Sequence, residues 1–103
     1  MNAIHPGKVQ MNKEVKQFFS EDGKLIGEAE YSEGKLNGYT KLWNNQGRII
    51  LHANYRNGEL HGTYQSWWKN GNPKEKGKYI DGKKSGYYRW FKENGELLNV
   101  QSF

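Results

Sequence analysis

The sequence predicts an all-β protein, an antiparallel meander of about seven or eight strands built from repeated β-hairpins. The first observation is a 24-residue period in the glycines. The second is the same period in the aromatic residues. The third is that each period contains two short segments rich in strand-forming residues, separated by glycine turns. The glycine series are Gly34, Gly58, Gly82; Gly38, Gly62, Gly86; and Gly23, Gly47, Gly71, Gly95, and the aromatic series are Tyr31, Tyr55, Tyr79, Phe103 and Phe19, Trp43, Trp67, Phe91.

Two kinds of turn are predicted within each period. Asn57-Gly58 is a strong signal for a two-residue hairpin loop, and Glu33-Gly34 and Asp81-Gly82 occupy the same place in the neighbouring copies. The second kind is a three-residue loop such as Asn45-Gln46-Gly47. Its last residue adopts a left-handed conformation that glycine tolerates, so each copy is a pair of strands.

The three-residue loop also predicts the pairing of the strands that it joins. It opposes Trp43 to Ile49, whereas a two-residue loop would oppose Trp43 to Arg48 and is rejected. The same step gives three further apolar pairs, Phe19 with Leu25, Trp67 with Pro73 and Phe91 with Leu97. Side chains alternate strictly between the two faces along a strand, and the face that carries these pairs is the expected core face. The same face then also carries Leu51, Ala53, Tyr55, Ala29 and Tyr31.

The alternation of side chains between the two faces cannot continue from one hairpin into the next unless one extra residue is inserted at the junction. Gly38, Gly62 and Gly86 lie at these junctions. Since glycine within a strand often marks a bulge, we predict a one-residue β-bulge at each of them.

The repeats cover residues 15–103, and residues 1–14 are predicted to form an N-terminal arm or cap. Val9, Met11 and Val15 alternate like a strand after the Pro6-Gly7 turn. Terminal repeats need such caps. If an end strand stays bare, dimerisation through that strand is the expected consequence.

Composition excludes several classes of protein. The chain has 103 residues, of which 34% are hydrophobic and none is cysteine, so no disulfide framework and no thiolate nucleophile exist. The longest apolar run, Ile49–Leu51, cannot span a membrane as a helix. The first residues lack the apolar stretch of a secretory signal, and we expect a cytoplasmic location.

We find no catalytic motif, and therefore predict a non-enzymatic protein without cofactor or metal. His5, His52 and His61 are isolated from one another in the predicted fold, and no pair has zinc-ligand spacing. The chain also lacks the nucleophile elbow, the P-loop and the dinucleotide-binding glycine motif.

The face opposite the expected core carries the predicted binding site. Residues 69–92 contain eight basic residues against two acidic ones, a net charge of +6. Large aromatic residues interleave there with lysines, a combination found in recognition surfaces. The predicted anchors are Tyr64, Trp68, Tyr88 and Trp90, and the predicted charged rim is Lys74, Lys76, Lys78 and Arg89. Two alternatives stay open: these aromatics form a second small core or pack under the N-terminal arm, or the two faces are exchanged.

The repeat resembles a known family. The segments YSEGKLNGYTKLWNNQG, YRNGELHGTYQSWWKNG and YIDGKKSGYYRWFKENG are similar to the bacterial variant of the MORN repeat. This resemblance implies one elongated, twisted sheet of stacked β-hairpins. Small proteins of this variant resemble YwqK-type antitoxins and immunity proteins, whereas longer MORN proteins are associated with membranes or act as scaffolds.

The resemblance and the charge together predict a protein that masks an acidic toxin or effector by binding it. One alternative is a β platform for single-stranded nucleic acid, since exposed aromatics on a basic sheet can stack bases. Another is a membrane-associated or scaffold MORN protein, which is less favoured because no amphipathic helix is predicted.

Overall fold

The computed structural model describes residues 13–103, which form one antiparallel sheet of eight strands. Strand order follows chain order, so the predicted all-β meander is confirmed. This part of the chain measures 58 × 40 × 15 Å, the thickness of a single layer with its side chains. The strands are β1 (Lys13–Phe19), β2 (Leu25–Ser32), β3 (Lys35–Trp43), β4 (Ile49–Arg56), β5 (Glu59–Trp67), β6 (Pro73–Ile80), β7 (Lys83–Phe91) and β8 (Leu97–Ser102).

The predicted arm or cap at residues 1–14 lies almost wholly outside the described residues. Only its last two residues are described, and Lys13 and Glu14 begin β1. The arm therefore stays a prediction.

Both predicted kinds of turn are present. Asn57 has φ of 50° and Gly58 has φ of 86°, and two successive left-handed residues form the type I′ turn that joins twisted strands without splaying them. The N–H of Gly58 also donates to the carbonyl of Leu36 at 2.8 Å, and that of Gly82 to Leu60 at 2.8 Å. Each of these turns is thus bonded to the preceding hairpin as well as to its own.

At the three-residue loops, all four predicted apolar pairs are confirmed. Trp43 pairs with Ile49, Phe19 with Leu25, Trp67 with Pro73 and Phe91 with Leu97. The next pair is Leu42 with Leu51, so one residue of β4, Ile50, is inserted as a bulge. The same bulge recurs in all four hairpins that end in such loops.

The bulges predicted at the hairpin junctions are also present, but they are larger than predicted. Tyr31 pairs with Leu36 and Ala29 with Thr40, so three residues of β3 oppose Glu30 alone. The insertion is therefore two residues rather than one. Gly38, at its centre, has φ of 115°, a conformation that a residue with a β-carbon adopts only under strain.

These bulges correct the predicted division of the two faces. An insertion of two residues preserves the alternation, whereas the one-residue bulge beside each three-residue loop reverses it. Leu42 consequently lies on the same face as Leu51, and Thr40 on the same face as Ala53. Trp43 follows Leu42 and points to the opposite face. The prediction that Trp43 and Ile49 share a core face with Leu51 and Ala53 was therefore wrong.

Candidate binding surface

The eight predicted site residues do not share a face. Tyr64 pairs with Ala53 on β4 and with Gly77 on β6, whereas its neighbour Gln65 pairs with Lys76. The predicted rim therefore points away from most of the predicted anchors. One face carries Tyr64, Tyr88 and Trp90, and the other carries Lys76, Lys78 and Arg89. The prediction of one interleaved aromatic and basic face was wrong, because it rested on the unbulged alternation.

On the first face the aromatic residues form a packed cluster, which we call the aromatic cluster and which consists of Tyr64, Tyr79, Tyr88, Trp90 and Phe103. Its ring centroids are 4.8 to 6.5 Å apart, the range of favourable aromatic contacts. Tyr88 lies at the centre and is 0% exposed. The alternative that these anchors form a small core is thus confirmed for Tyr64, Tyr88 and Trp90.

The hydroxyl of Tyr88 has hydrogen-bond partners at the border of the cluster. Its hydroxyl donates to Oε1 of Glu75 at 2.8 Å, and the Nζ of Lys84 lies 5.1 Å from its ring centroid. Burial, followed by the hydrogen bonds with Tyr79 and Glu75, raises the pKa of the Tyr88 phenol far above its usual range. The buried hydroxyl therefore stays protonated at neutral pH and acts as a structural donor.

Trp68 and Lys74, the other two predicted site residues, lie together beside a three-residue loop. The Nζ of Lys74 is 4.7 Å from the ring centroid of Trp68, a cation–π distance. The Trp68 Nε1 donates to the carbonyl of Phe91 at 3.2 Å, which ties this loop to the next hairpin. This pair lines a depression with Ile50 and Ser66 rather than with the cations of the opposite face.

The opposite face of β5, β6 and β7 contains a shallow depression of about 240 Å³. We call it the basic groove. No lining residue is acidic, and Tyr87, which is 67% exposed, stands at one side. The lining side chains are Thr63, Gln65, Lys76, Lys78, Ser85, Tyr87 and Arg89.

The cations of the basic groove have no ion-pair partner within residues 13–103. The ion pairs of this range join Arg56 to Asp81, His61 to Asp81 and Lys24 to Asp22. Lys76 lies directly opposite Arg89 on the neighbouring strand, and like charges in that position destabilise a sheet. Residues 1–12 contain no aspartate or glutamate that could neutralise the groove.

Comparison of copies shows that the lysines are particular to the third repeat. Positions 24 and 48 residues before Lys76 hold His52 and Glu28. Glu28 accepts hydrogen bonds from Gln17 at 2.8 Å and from the Tyr39 hydroxyl at 2.7 Å. These bonds, that of Gln17 first, lower the pKa of the Glu28 carboxyl. The acidic member of this column, Glu28, is thus hydrogen-bonded within the sheet, whereas Lys76 is exposed to solvent.

Tyr87 is the residue that the sequence interpretation missed. The dipeptide Tyr87-Tyr88 must send one ring to each face, because neighbouring side chains in a strand alternate. Tyr88 was assigned to the binding face and Tyr87 was therefore ignored. Comparison of the copies could have identified it, since Tyr39 holds the equivalent position two copies earlier. The ring of Tyr39 also lies beside a lysine, with the Nζ of Lys41 5.1 Å from its centroid.

Metal-binding clusters and membrane-spanning helices are both absent from residues 13–103. In the part of the chain that the structure describes, no group of three His, Cys, Asp or Glu side chains could hold a metal ion. The same part of the chain contains no helix with the length and hydrophobicity needed to cross a membrane.

Comparison with known families gives a match to the MORN repeat variant. The family model matches residues 15–33 and 60–81, which lie in the first and third hairpins and their connections. The matched segments, which cover less than half of the chain, are similar to that repeat. No curated protein and no solved structure matches the chain. Proteins with MORN repeats are generally non-enzymatic binding or scaffold proteins.

Proposed function

We propose that this MORN-variant protein masks an acidic protein partner by binding it through the basic groove, in the manner of an antitoxin or immunity-type inhibitor. The observation that carries the proposal is the opposition of Lys76 to Arg89, beside Lys78, without an acidic residue in the groove. A free sheet that holds such a repulsion loses stability. An acidic partner surface would remove that cost on binding.

The residue types of the groove suit a protein partner. Tyrosine and arginine are the types most often found at binding hot spots, and Tyr87 and Arg89 lie on the same face of β7. Lysines at the border of an interface mainly raise the association rate with an oppositely charged partner. Tyr87 is thus the proposed anchor, with Arg89 beside it and Lys76 and Lys78 as the steering charges.

A single-stranded nucleic acid fits the groove less well than the predicted aromatic face suggested. Platforms for such ligands stack successive bases on several exposed rings. The groove is lined by one aromatic residue, Tyr87. Tyr64, Tyr88 and Trp90, which the sequence interpretation offered as stacking residues, contact one another on the other face.

The test is a pull-down from host lysate, with and without nuclease, using the wild type and a triple charge reversal of Lys76, Lys78 and Arg89 to Glu. The matched control reverses Lys35, Lys69 and Lys83, which are exposed and lie outside the groove. We expect a protein that the wild type and the control retain, that the groove variant loses and that nuclease does not remove. Co-expression of that protein with either variant then shows whether the groove neutralises its activity.

Other outcomes would overturn the proposal. Equal retention by the groove variant and the control would show that the groove does not bind the partner. Recovery of nuclease-sensitive nucleic acid by the wild type alone would instead favour the single-strand platform. Suppose that moderate salt releases the retained protein and that charge reversal of the groove changes nothing. The retention would then reflect nonspecific attraction to the net charge of +5.

A further inference from the structure

The last strand differs from all the others in charge. β8, Leu97–Ser102, contains no Lys, Arg, Asp or Glu, and each of the other seven strands contains at least one. Its residues are all exposed, with Leu98 at 61% and Val100 at 39%. Within residues 13–103, no strand pairs with its outer edge. Such an uncharged edge is a template for pairing with another strand.

The opposite edge of the sheet is different. β1 carries Lys13, Glu14 and Lys16, and charged edge residues oppose strand addition. Glu14 also occupies the column of Gly38, whose φ of 115° a glutamate adopts only under strain. A β1 strand from a second copy therefore cannot continue the repeat beyond β8 as β3, β5 and β7 continue it within the chain.

The hydrogen bonds of β8 show which of its backbone groups point outward. Phe103 and Gly86 exchange two backbone hydrogen bonds, at 2.9 and 3.3 Å. Because these bonds alternate along an antiparallel strand, Gln101 and Asn99 also direct their backbone groups toward β7. Val100 and Ser102 then direct theirs toward the outer edge.

We propose that β8 pairs antiparallel with β8 of a second copy, about a two-fold axis that passes between the two Val100 residues. In a two-fold pair, residue i of one copy meets residue j of the other and j meets i, so a charged residue on the axis would face the same charge of the second copy. Of the eight strands, only β8 carries no charged side chain and can pair in this way without repulsion. The register centred on Val100 overlaps all of residues 97–103. It places Asn99 opposite Gln101 of the second copy, Leu97 opposite Phe103 and Leu98 opposite Ser102.

Cysteine cross-linking tests the register directly. The chain contains no cysteine, so any disulfide in a single-cysteine variant joins two copies. Residues that form a hydrogen-bonded pair have α-carbons about 5.5 Å apart, within disulfide range. Val100→Cys is therefore expected to give a dimer on a non-reducing gel after mild oxidation. Asn99→Cys, on the neighbouring residue, and Val15→Cys, on the other edge, should run as monomers on the same non-reducing gel.

Charge substitution tests the dimer without a covalent bond. We expect sedimentation or light scattering to give a dimer for the wild type and a monomer for Val100→Asp, whose carboxylates would meet at the axis. Asp at position 100 faces Arg89 within the sheet, so the variant should keep its fold. Mixing Val100→Asp with Val100→Lys should restore a dimer, and Val15→Lys should remain dimeric.

The proposal is overturned if the wild type is monomeric at millimolar concentration, or if Val15→Lys dissociates the dimer as Val100→Asp does. Preferential cross-linking of Asn99→Cys would place the axis elsewhere and overturn the register. The groove charge reversal leaves β8 unchanged and should dimerise like the wild type. Loss of partner binding and loss of the dimer are therefore separate outcomes.

Discussion

The ring of Tyr88 covers the α-carbon of Gly77 on the neighbouring strand, so closely that a β-carbon at Gly77 would overlap the ring. The two preceding members of this column are alanines, Ala29 and Ala53. Ala53 lies between Thr40 and Tyr64, whereas Gly77 lies between two tyrosines. The column thus holds its smallest residue, glycine, in the copy where both flanking side chains are large.

Gly77→Ala is therefore expected to destabilise the protein by about 1–3 kcal/mol, the usual cost of overpacking. Comparison of the repeats alone would favour the same change, since alanine occupies this column twice. Urea unfolding of the variant distinguishes the two expectations. In a Tyr88→Ala background the clash is absent, and Gly77→Ala should then be close to neutral. An equal loss in both backgrounds would show that the ring is not the cause.

Tyr87 and Tyr88 give a second prediction, because adjacent tyrosines lie on opposite faces. Tyr88→Ala should lower the free energy of unfolding by about 3 kcal/mol or more, since it empties the centre of the aromatic cluster. Tyr87→Ala removes a ring that is 67% exposed and should change stability by less than about 0.5 kcal/mol. Thermal unfolding measures both. Similar losses for the two variants would contradict the assignment of faces.

The architecture of the sheet was predictable because each turn is a local event. Asn57-Gly58 determines a hairpin by its own backbone preferences, and the spacing of Trp43 and Ile49 around Gly47 determines the first pair. The bulge at Ile50 was not predictable in this way. Nothing in that residue marks an insertion, and one inserted residue reverses the face of the positions that follow it.

A decrease of the free energy of unfolding at alkaline pH is a third prediction. Burial raises the pKa of the Tyr64 and Tyr88 phenols, whereas an unfolded tyrosine ionises near pH 10. Above about pH 10 the unfolded chain therefore releases protons that the folded protein retains, and the free energy of unfolding falls. Below that pH these groups leave stability unchanged.

Urea unfolding between pH 7 and pH 11.5 measures this decline, and absorbance at 295 nm reports tyrosinate in the folded protein. Tyr88→Phe removes the titrating group and should make the decline shallower. Lysines also lose their charge in this range, in the wild type and the variant alike. A slope unchanged by the substitution would assign the decline to groups other than Tyr88.

Ser66 gives a fourth prediction. It occupies a column in which the other copies hold Phe18, Leu42 and Trp90, and its hydroxyl is buried without a hydrogen-bond partner among the described residues. Ser66→Ala removes this uncompensated group and should raise stability by up to about 1 kcal/mol. The control is Ser20→Ala, which removes an acceptor of the Lys24 N–H and should be destabilising. A loss of stability in Ser66→Ala would indicate that an ordered water satisfies the hydroxyl.

The candidate site was predictable in its charge but not in its geometry. The excess of lysine in the third and fourth copies is a property of composition, and Lys76, Lys78 and Arg89 remain together in the structure. They lie on the opposite face from Tyr64 and Tyr88 because of the bulges, which change the pairing between neighbouring strands. Tyr64, Tyr88 and Trp90 thus belong to the small core, and Tyr87 is the aromatic residue that the proposed function assigns to recognition.

Lys76→Glu is the prediction that joins stability to function. The substitution places a carboxylate directly opposite Arg89 and replaces a repulsive cross-strand pair by an attractive one. We expect stability to rise by about 0.2–1 kcal/mol, measured by urea unfolding at low salt, with the gain shrinking at high salt. Binding of an acidic partner should weaken at the same time, because a carboxylate replaces one of the steering cations. Binding surfaces often retain residues that cost stability in this way. Lys83→Glu removes the same charge outside the groove and should leave binding unchanged. A destabilised Lys76→Glu would show that the two cations do not repel each other in the folded sheet.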